Sequence, residues 1–88
     1  MLRSLCGASI LAKSLRSRRH RALLAVLVGS RKEAGLTQRE LAAKMKRPQS
    51  FVGATETGER RLDVVEFFEF AAALGVEPVA LFERVARW

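Results

Sequence analysis

Carboxamides, hydroxyls and guanidinium groups crowd into one short part of this chain. Gln38 and Gln49 carry the amides, Thr37 and Ser50 the hydroxyls, and Arg47, Arg60 and Arg61 the cationic forks. A glutamine amide holds donors and an acceptor in one plane, so it can bond a phosphate or pair bidentately with an adenine edge. A guanidinium fork matches phosphate oxygens. Other chemistries are poorly supplied. The single Cys6 cannot form an internal disulfide, and the single His20 has no second ligand beside it, so neither metal nor cofactor is expected. Asp63, Glu66 and Glu69 fall on one helical face at spacing three, but no nucleophile accompanies them and 88 residues form no catalytic pocket around them, so no enzyme is expected. His20 is read as a surface residue.

Charge points the same way. Lys and Arg total 16 against 9 Asp and Glu, a formal net charge of +7, and the distribution is uneven. The first 32 residues hold eight bases and no acid, whereas from Asp63 onward five acids face Arg84 and Arg87 alone. A basic front attracts polyanions, because each neutralised phosphate releases counterions. Nucleic acid and acidic lipid heads both remain open at this point. The apolar run over 22–28 is too short to cross a bilayer, and 49% hydrophobic residues argue against disorder. The expectation is a small helical domain of the cytoplasm, preceded over residues 1–16 by a basic extension that holds Cys6.

The elements that must position the amides follow from caps and spacing. A first helix is expected over 17–34, with Ser17 as its N-cap, Leu23, Leu24, Leu27 and Val28 as its stripe, and Gly35 as its stop. Thr37 three residues before Glu40 forms a capping box, which opens a short second helix carrying Leu41, Ala42 and Met45 inward. After a brief turn through Arg47, Pro48 suits the first position of a third helix, with Phe51, Val52 and Thr55 facing in. A fourth helix over 62–74 would bury Val65, Phe68, Ala72 and Leu74. A fifth starts at Glu77-Pro78 and is mostly apolar through Val79, Leu81, Phe82 and Val85. No stretch alternates with period two, so the fold class is all-α.

Two short helices joined by about three residues fit a helix-turn-helix, whose second member is narrow enough for the DNA major groove. On that reading Gln38 begins the helix that abuts a phosphate, Gln49 and Ser50 begin the helix that meets base edges, and Arg47, Arg60 and Arg61 flank the groove.

The text Arg31-Lys32-Glu33-Ala34-Gly35-Leu36-Thr37-Gln38, then Glu40-Leu41-Ala42, Pro48-Gln49-Ser50-Phe51-Val52, Glu56-Thr57-Gly58-Glu59-Arg60-Arg61 and Ala73-Leu74-Gly75-Val76 resembles the phage-repressor/Cro-type (xenobiotic-response-element class) regulators, across residues 20–85. The resemblance implies a compact five-helix, lambda-repressor-like bundle over 17–88 and a transcriptional regulator that binds double-stranded DNA as a homodimer. It also implies an inward ion pair between Arg31 and Glu56. The chain departs from the family pattern at Gly53, Ala54 and Thr55, where a serine, a basic residue and a bulky anchor are expected. Gly53 and Ala54 would face DNA without reaching it, and Thr55 would anchor the helix less firmly, which implies weaker and less selective binding. The alternative is an antitoxin-like or adaptor module that uses the last helix, with Trp88, to hold a protein partner. The same apolar helix is the expected dimer surface, and no membrane partner is expected.

Overall fold

The computed structural model describes residues 17–88, in which the regular structure is five α-helices. They are α1 (Arg18–Glu33), α2 (Gln38–Met45), α3 (Gln49–Thr57), α4 (Val64–Leu74) and α5 (Pro78–Ala86). The extension over 1–16, with Cys6, lies outside the described residues.

Four of the five helices start where a side chain accepts a first-turn N–H. Ser17 Oγ accepts from the His20 amide at 3.0 Å, and Thr37 and Glu40 complete their reciprocal box at 3.0 and 2.9 Å. A second capping box opens α4. Asp63 accepts from the Glu66 amide at 2.7 Å while the Glu66 carboxylate accepts from the Asp63 amide at 3.1 Å. Glu77 caps α5, and Pro78 takes its first turn. Pro48 stands one place earlier than the sequence implied: it is the N-cap of α3, with ψ 151°, and the helix begins at Gln49. The stop of α3 at Gly58 needs glycine twice over. Its φ is +84°, and a Cβ there would come within 3.3 Å of Leu24 Cδ1.

The core is assembled from all five helices. Val26 and Leu27 of α1, Leu41 and Ala42 of α2, Val52 of α3, Phe70, Ala71 and Leu74 of α4, and Leu81 and Val85 of α5 are buried together. α2 packs on α3, α4 packs on α2, and α5 closes against α1 and α4. Arg19 reinforces that last contact by donating to the carbonyls of Val85 and Ala86 at 3.2 and 2.9 Å, which caps the end of α5 with a cation.

Several expected faces are corrected. In α4 the inward residues are Glu66, Phe70, Ala71 and Leu74, with Phe67 half-buried, whereas Val65, Phe68 and Ala72 are exposed. The helix reads Val-Val-Glu-Phe-Phe-Glu-Phe-Ala-Ala-Ala-Leu, so apolar spacing permits two faces, and the capping box decides between them by turning Glu66 inward. In α1 the buried stripe is Ala22, Val26, Leu27 and Ser30, with Leu23, Leu24 and Val28 at its margin. In α5 only Leu81 and Val85 go in, while Val79 and Phe82 stay out. His20 is half-buried, and its Nε2 is enclosed with no hydrogen-bond partner among the described residues. Burial and then the nearby charge of Arg61 hold its imidazole below the ordinary histidine range.

No helix among the described residues is long and apolar enough to cross a membrane, and no group of three or more His, Cys, Asp or Glu there is placed to hold a metal ion.

Lys46 ends α2 in the left-handed region, at φ 59° and ψ 42°, the one described residue other than glycine with a positive φ. That conformation costs a side-chain-bearing residue about 1–2 kcal/mol, of which the freer unfolded chain of a glycine variant returns about 0.4–1 kcal/mol. Lys46→Gly should therefore raise the urea midpoint by the equivalent of about 0.5–1 kcal/mol. A lowered midpoint at unchanged slope would show instead that the lysine side chain contributes more than its backbone loses.

Candidate nucleic-acid interface

α2 and α3 are joined by Lys46, Arg47 and Pro48, so the turn is three residues long. The left-handed Lys46 reverses the chain, and its amide returns to the Ala42 and Ala43 carbonyls. Pro48 then fixes φ at −65°, which sends α3 across the surface. Burial divides α3 cleanly. Val52 and Thr55 are 0% exposed, Phe51 is half-buried, and Gln49 and Ser50 stand in solvent at its N-terminal end. Gly53 and Ala54 lie between these faces. Thr55 fills its buried place with its hydroxyl satisfied, donating to the Phe51 carbonyl at 2.8 Å. Phe51, stacked on Phe70 at 5.9 Å between centroids, supplies the bulky anchor that Thr55 lacks.

Beneath the exposed end runs a chain of polar contacts. Arg31 Nε and Nη2 donate to the two oxygens of Glu56 at 2.7 and 3.1 Å, with the two side chains 12% and 4% exposed. Arg31 Nη1 also donates to the Leu36 carbonyl at 2.8 Å, tying down the loop before α2. Glu56 Oε1 accepts from Gln38 Nε2 at 2.8 Å, and Gln38 Oε1 accepts from Gln49 Nε2 at 2.8 Å. Four residues from three helices thus form one line from the interior to the surface.

A second assembly flanks it. Arg47 and Arg60 both lie over the Phe51 ring, at 4.3 and 4.5 Å from its centroid. Each is also held by an acid of α4. Arg47 donates to Glu69 at 2.9 Å, and Arg60 grips Glu66 through both Nη atoms at 3.0 and 2.9 Å. The Arg60 hydrogen bonds hold the Glu66 carboxyl below the usual carboxylate range, against its burial, and the same bonds raise the proton affinity of Arg60 further. Arg61 is exposed in the loop between α3 and α4, close enough to His20 for its charge to act on the ring.

The expected residues therefore come together unequally. Thr37, Gln38, Gln49 and Ser50 share the mouth of the helix pair, Arg47 borders it, and Gly53 leaves its flank open. Arg60 is turned toward Glu66, and Arg61 sits farther along the loop. The family-implied pair Arg31 and Glu56 is present. Sequence reasoning missed the inner contacts of Gln38 and the engagement of the two α4 carboxylates, Glu66 and Glu69. The Asp63-to-Glu66 spacing was a readable capping signal. The Gln38–Gln49 contact, eleven residues apart across a turn, left none.

On another part of the molecule α1, α4 and α5 surround an open groove of about 840 Å³, bordered by His20, Phe67, Phe68, Val79 and Phe82. Phe82 is 61% exposed and Trp88 68%, large values for side chains of their size.

The sequence and the fold are similar to those of known proteins. A helix-turn-helix family model matches residues 30–81. An uncharacterised HTH-type transcriptional regulator of Sinorhizobium fredii, y4dJ, is 42% identical over 60 residues, covering 62% of this chain and 78% of its own. An XRE-family-like protein from Pseudomonas syringae pv. tomato superposes with a TM-score of 0.78 at 46% identity, covering 89% of this chain and 95% of that one. The restriction-modification controller protein C.Esp1396I, solved as a tetramer on its natural 35-base-pair operator, gives a TM-score of 0.75 at 25% identity over 81% of this chain and 93% of its own. With the family match spanning more than half of its residues and the two helices in register, the chain belongs to the helix-turn-helix family of Cro/C1-type, XRE-class regulators.

Proposed function

We propose that the protein is a sequence-specific transcriptional regulator that lays α3 in the major groove of operator DNA. The observation that carries this is the division of α3 itself: Gln49 and Ser50 in solvent at its start, Val52 and Thr55 sealed into the core behind them. In this reading Gln49 and Ser50 meet base edges. Thr37 and Gln38 set the α2 N-terminus against a phosphate, where helix N–H groups point outward. Arg47 borders the groove and reaches backbone oxygens when it leaves Glu69, a pair exposed enough to exchange. Arg61 adds a phosphate contact from the loop. Arg60, gripped by a largely buried Glu66, braces α3 from behind the contact surface. Gly53 and Ala54 allow close approach of the duplex without adding a polar contact. No step of this function calls for catalysis, a metal or a cofactor.

The protein acts as a homodimer in this proposal, with the apolar residues of α4 and α5 as the shared surface and the operator pseudo-symmetric. The tetrameric operator complex of C.Esp1396I supports oligomerisation on DNA. The same exposed Val79, Phe82 and Trp88 favour a second reading, in which α5 holds a different protein, as an antitoxin-like or adaptor module would.

Two measurements test these statements. Affinity for a selected duplex should weaken steeply with salt, and Gln49→Ala should lose about 1–3 kcal/mol at the base it reads while non-specific affinity holds. Absence of both effects at low ionic strength removes the regulator reading. Sedimentation should show a dimer that Phe82→Asp converts to monomer. A wild-type monomer that binds its operator with full affinity would turn the α5 face over to another partner.

A third test concerns the brace. Because Glu66 has a lowered proton affinity in the fold, its stabilising contribution is complete above its ordinary value of 4.5 and drains away as pH falls through the folded value. Glu66→Gln should lower stability at neutral pH and flatten that part of the acid limb in a series of melts. An acid limb identical to wild type would mean that the Arg60 bond does not set the shift.

A further inference from the structure

We infer that Glu69 competes with DNA for Arg47. Its carboxylate holds the guanidinium in the free protein and has to release it to a backbone phosphate on binding. Affinity for every duplex is thereby kept below what the basic surface alone would give. The inference rests on the reading that Arg47 reaches a phosphate, and it assigns the restraint on that contact to an acid of α4.

Two arginines lie over the Phe51 ring, and they differ in whether they can change partner. Arg60 meets Glu66 through two bonds, one to each oxygen, at 3.0 and 2.9 Å, and the Glu66 side chain is only 11% exposed. A phosphate cannot draw Arg60 away without stranding a nearly buried carboxylate. Arg47 donates from Nη2 to one oxygen of Glu69 at 2.9 Å, with the two side chains 34% and 40% exposed. Water reaches Glu69 where it stands, so its release strands nothing, and an exposed pair of this kind is weakly held. A duplex, by contrast, presents about one phosphate charge per 1.7 Å of its axis.

Position favours the exchange as well. Arg47 stands in the turn between α2 and α3, two residues before Gln49, and so belongs to the rim laid against DNA. Its guanidinium lies 4.3 Å from the Phe51 centroid, a contact that does not depend on which anion it meets on its other side. Glu66 cannot inherit the freed cation, because Arg60 holds both of its oxygens and the Asp63 amide donates to one of them. The choice for Arg47 is therefore between Glu69 and a phosphate.

Binding of the whole chain to a labelled mixed-sequence duplex, followed by fluorescence anisotropy from low to high salt, tests this in a double-mutant cycle of Glu69→Gln and Arg47→Ala. Phosphate contacts carry no sequence information, so the duplex need not be the operator. Both substitutions fall on a half-exposed pair, and unchanged far-ultraviolet dichroism establishes that each variant is folded before it is scored. Arg47→Ala should weaken binding. Glu69→Gln should tighten it by about twofold to fivefold at low ionic strength, and the gain should shrink as salt screens the pair in the free protein. In the Arg47→Ala background the gain should vanish, leaving affinity within about 1.5-fold of that single variant. A larger gain there would mean that Glu69 acts on DNA only as one more negative charge, which overturns the inference. So does an affinity that Glu69→Gln leaves unchanged while Arg47→Ala lowers it. If Arg47→Ala has no effect at any salt concentration, the phosphate contact of Arg47 itself falls and takes the inference with it.

Discussion

An arginine and a glutamate almost stripped of water hold this domain in its working shape. Arg31 enters from α1, Glu56 from α3, and the third N–H of the same guanidinium fastens the loop that leads into α2. Burying two charges is costly, and such a pair is tolerable only when the remaining lone pairs and protons find partners, as they do here through Leu36 and Gln38. Removing either member would strand a charge in the interior, a loss of about 3–5 kcal/mol from a domain whose whole stability is expected to be about 5–15 kcal/mol. The pair thus ties α3 to α1 alongside the apolar packing of Val52 and Phe51.

The acidic last third of the chain is likewise structural. Its carboxylates look like a solvated face when counted along the sequence, yet Glu66 and Glu69 reach back to Arg60 and Arg47, whose guanidinium groups cover the Phe51 ring. Phe51 in turn stacks on Phe70 at the centre of the core. Cations from the two loops that flank α3, an aromatic ring of α3 and anions of α4 therefore stiffen the back of α3, and this compensates for a helix whose middle is glycine, alanine and threonine.

Much of this was legible beforehand because it is local. Ser17, the Thr37–Glu40 box and the glycine stops fix helix ends by chemistry confined to a few residues, and five helices follow from them. The face of α4 was not legible, since a helix apolar on most of its circumference has no preferred side until a cap or a partner chooses one. His20 was misjudged for a related reason: its surroundings are set by how α1 packs among elements distant in the chain. At the candidate interface the residue types and their helices were readable. The bonds among Gln38, Gln49 and Glu56 were not, because their spacing follows from the angle between two helices.

The clasp between Arg19 and the last carbonyls of α5 places the beginning and the end of the folded unit side by side. A tether of only a few residues could bridge that gap. Two such units could be strung in one polypeptide, or a single one re-opened elsewhere along its length, with little disturbance to the bundle. Anything attached at either end would emerge at the same corner, beside the apolar groove that Val85 and Ala86 also border.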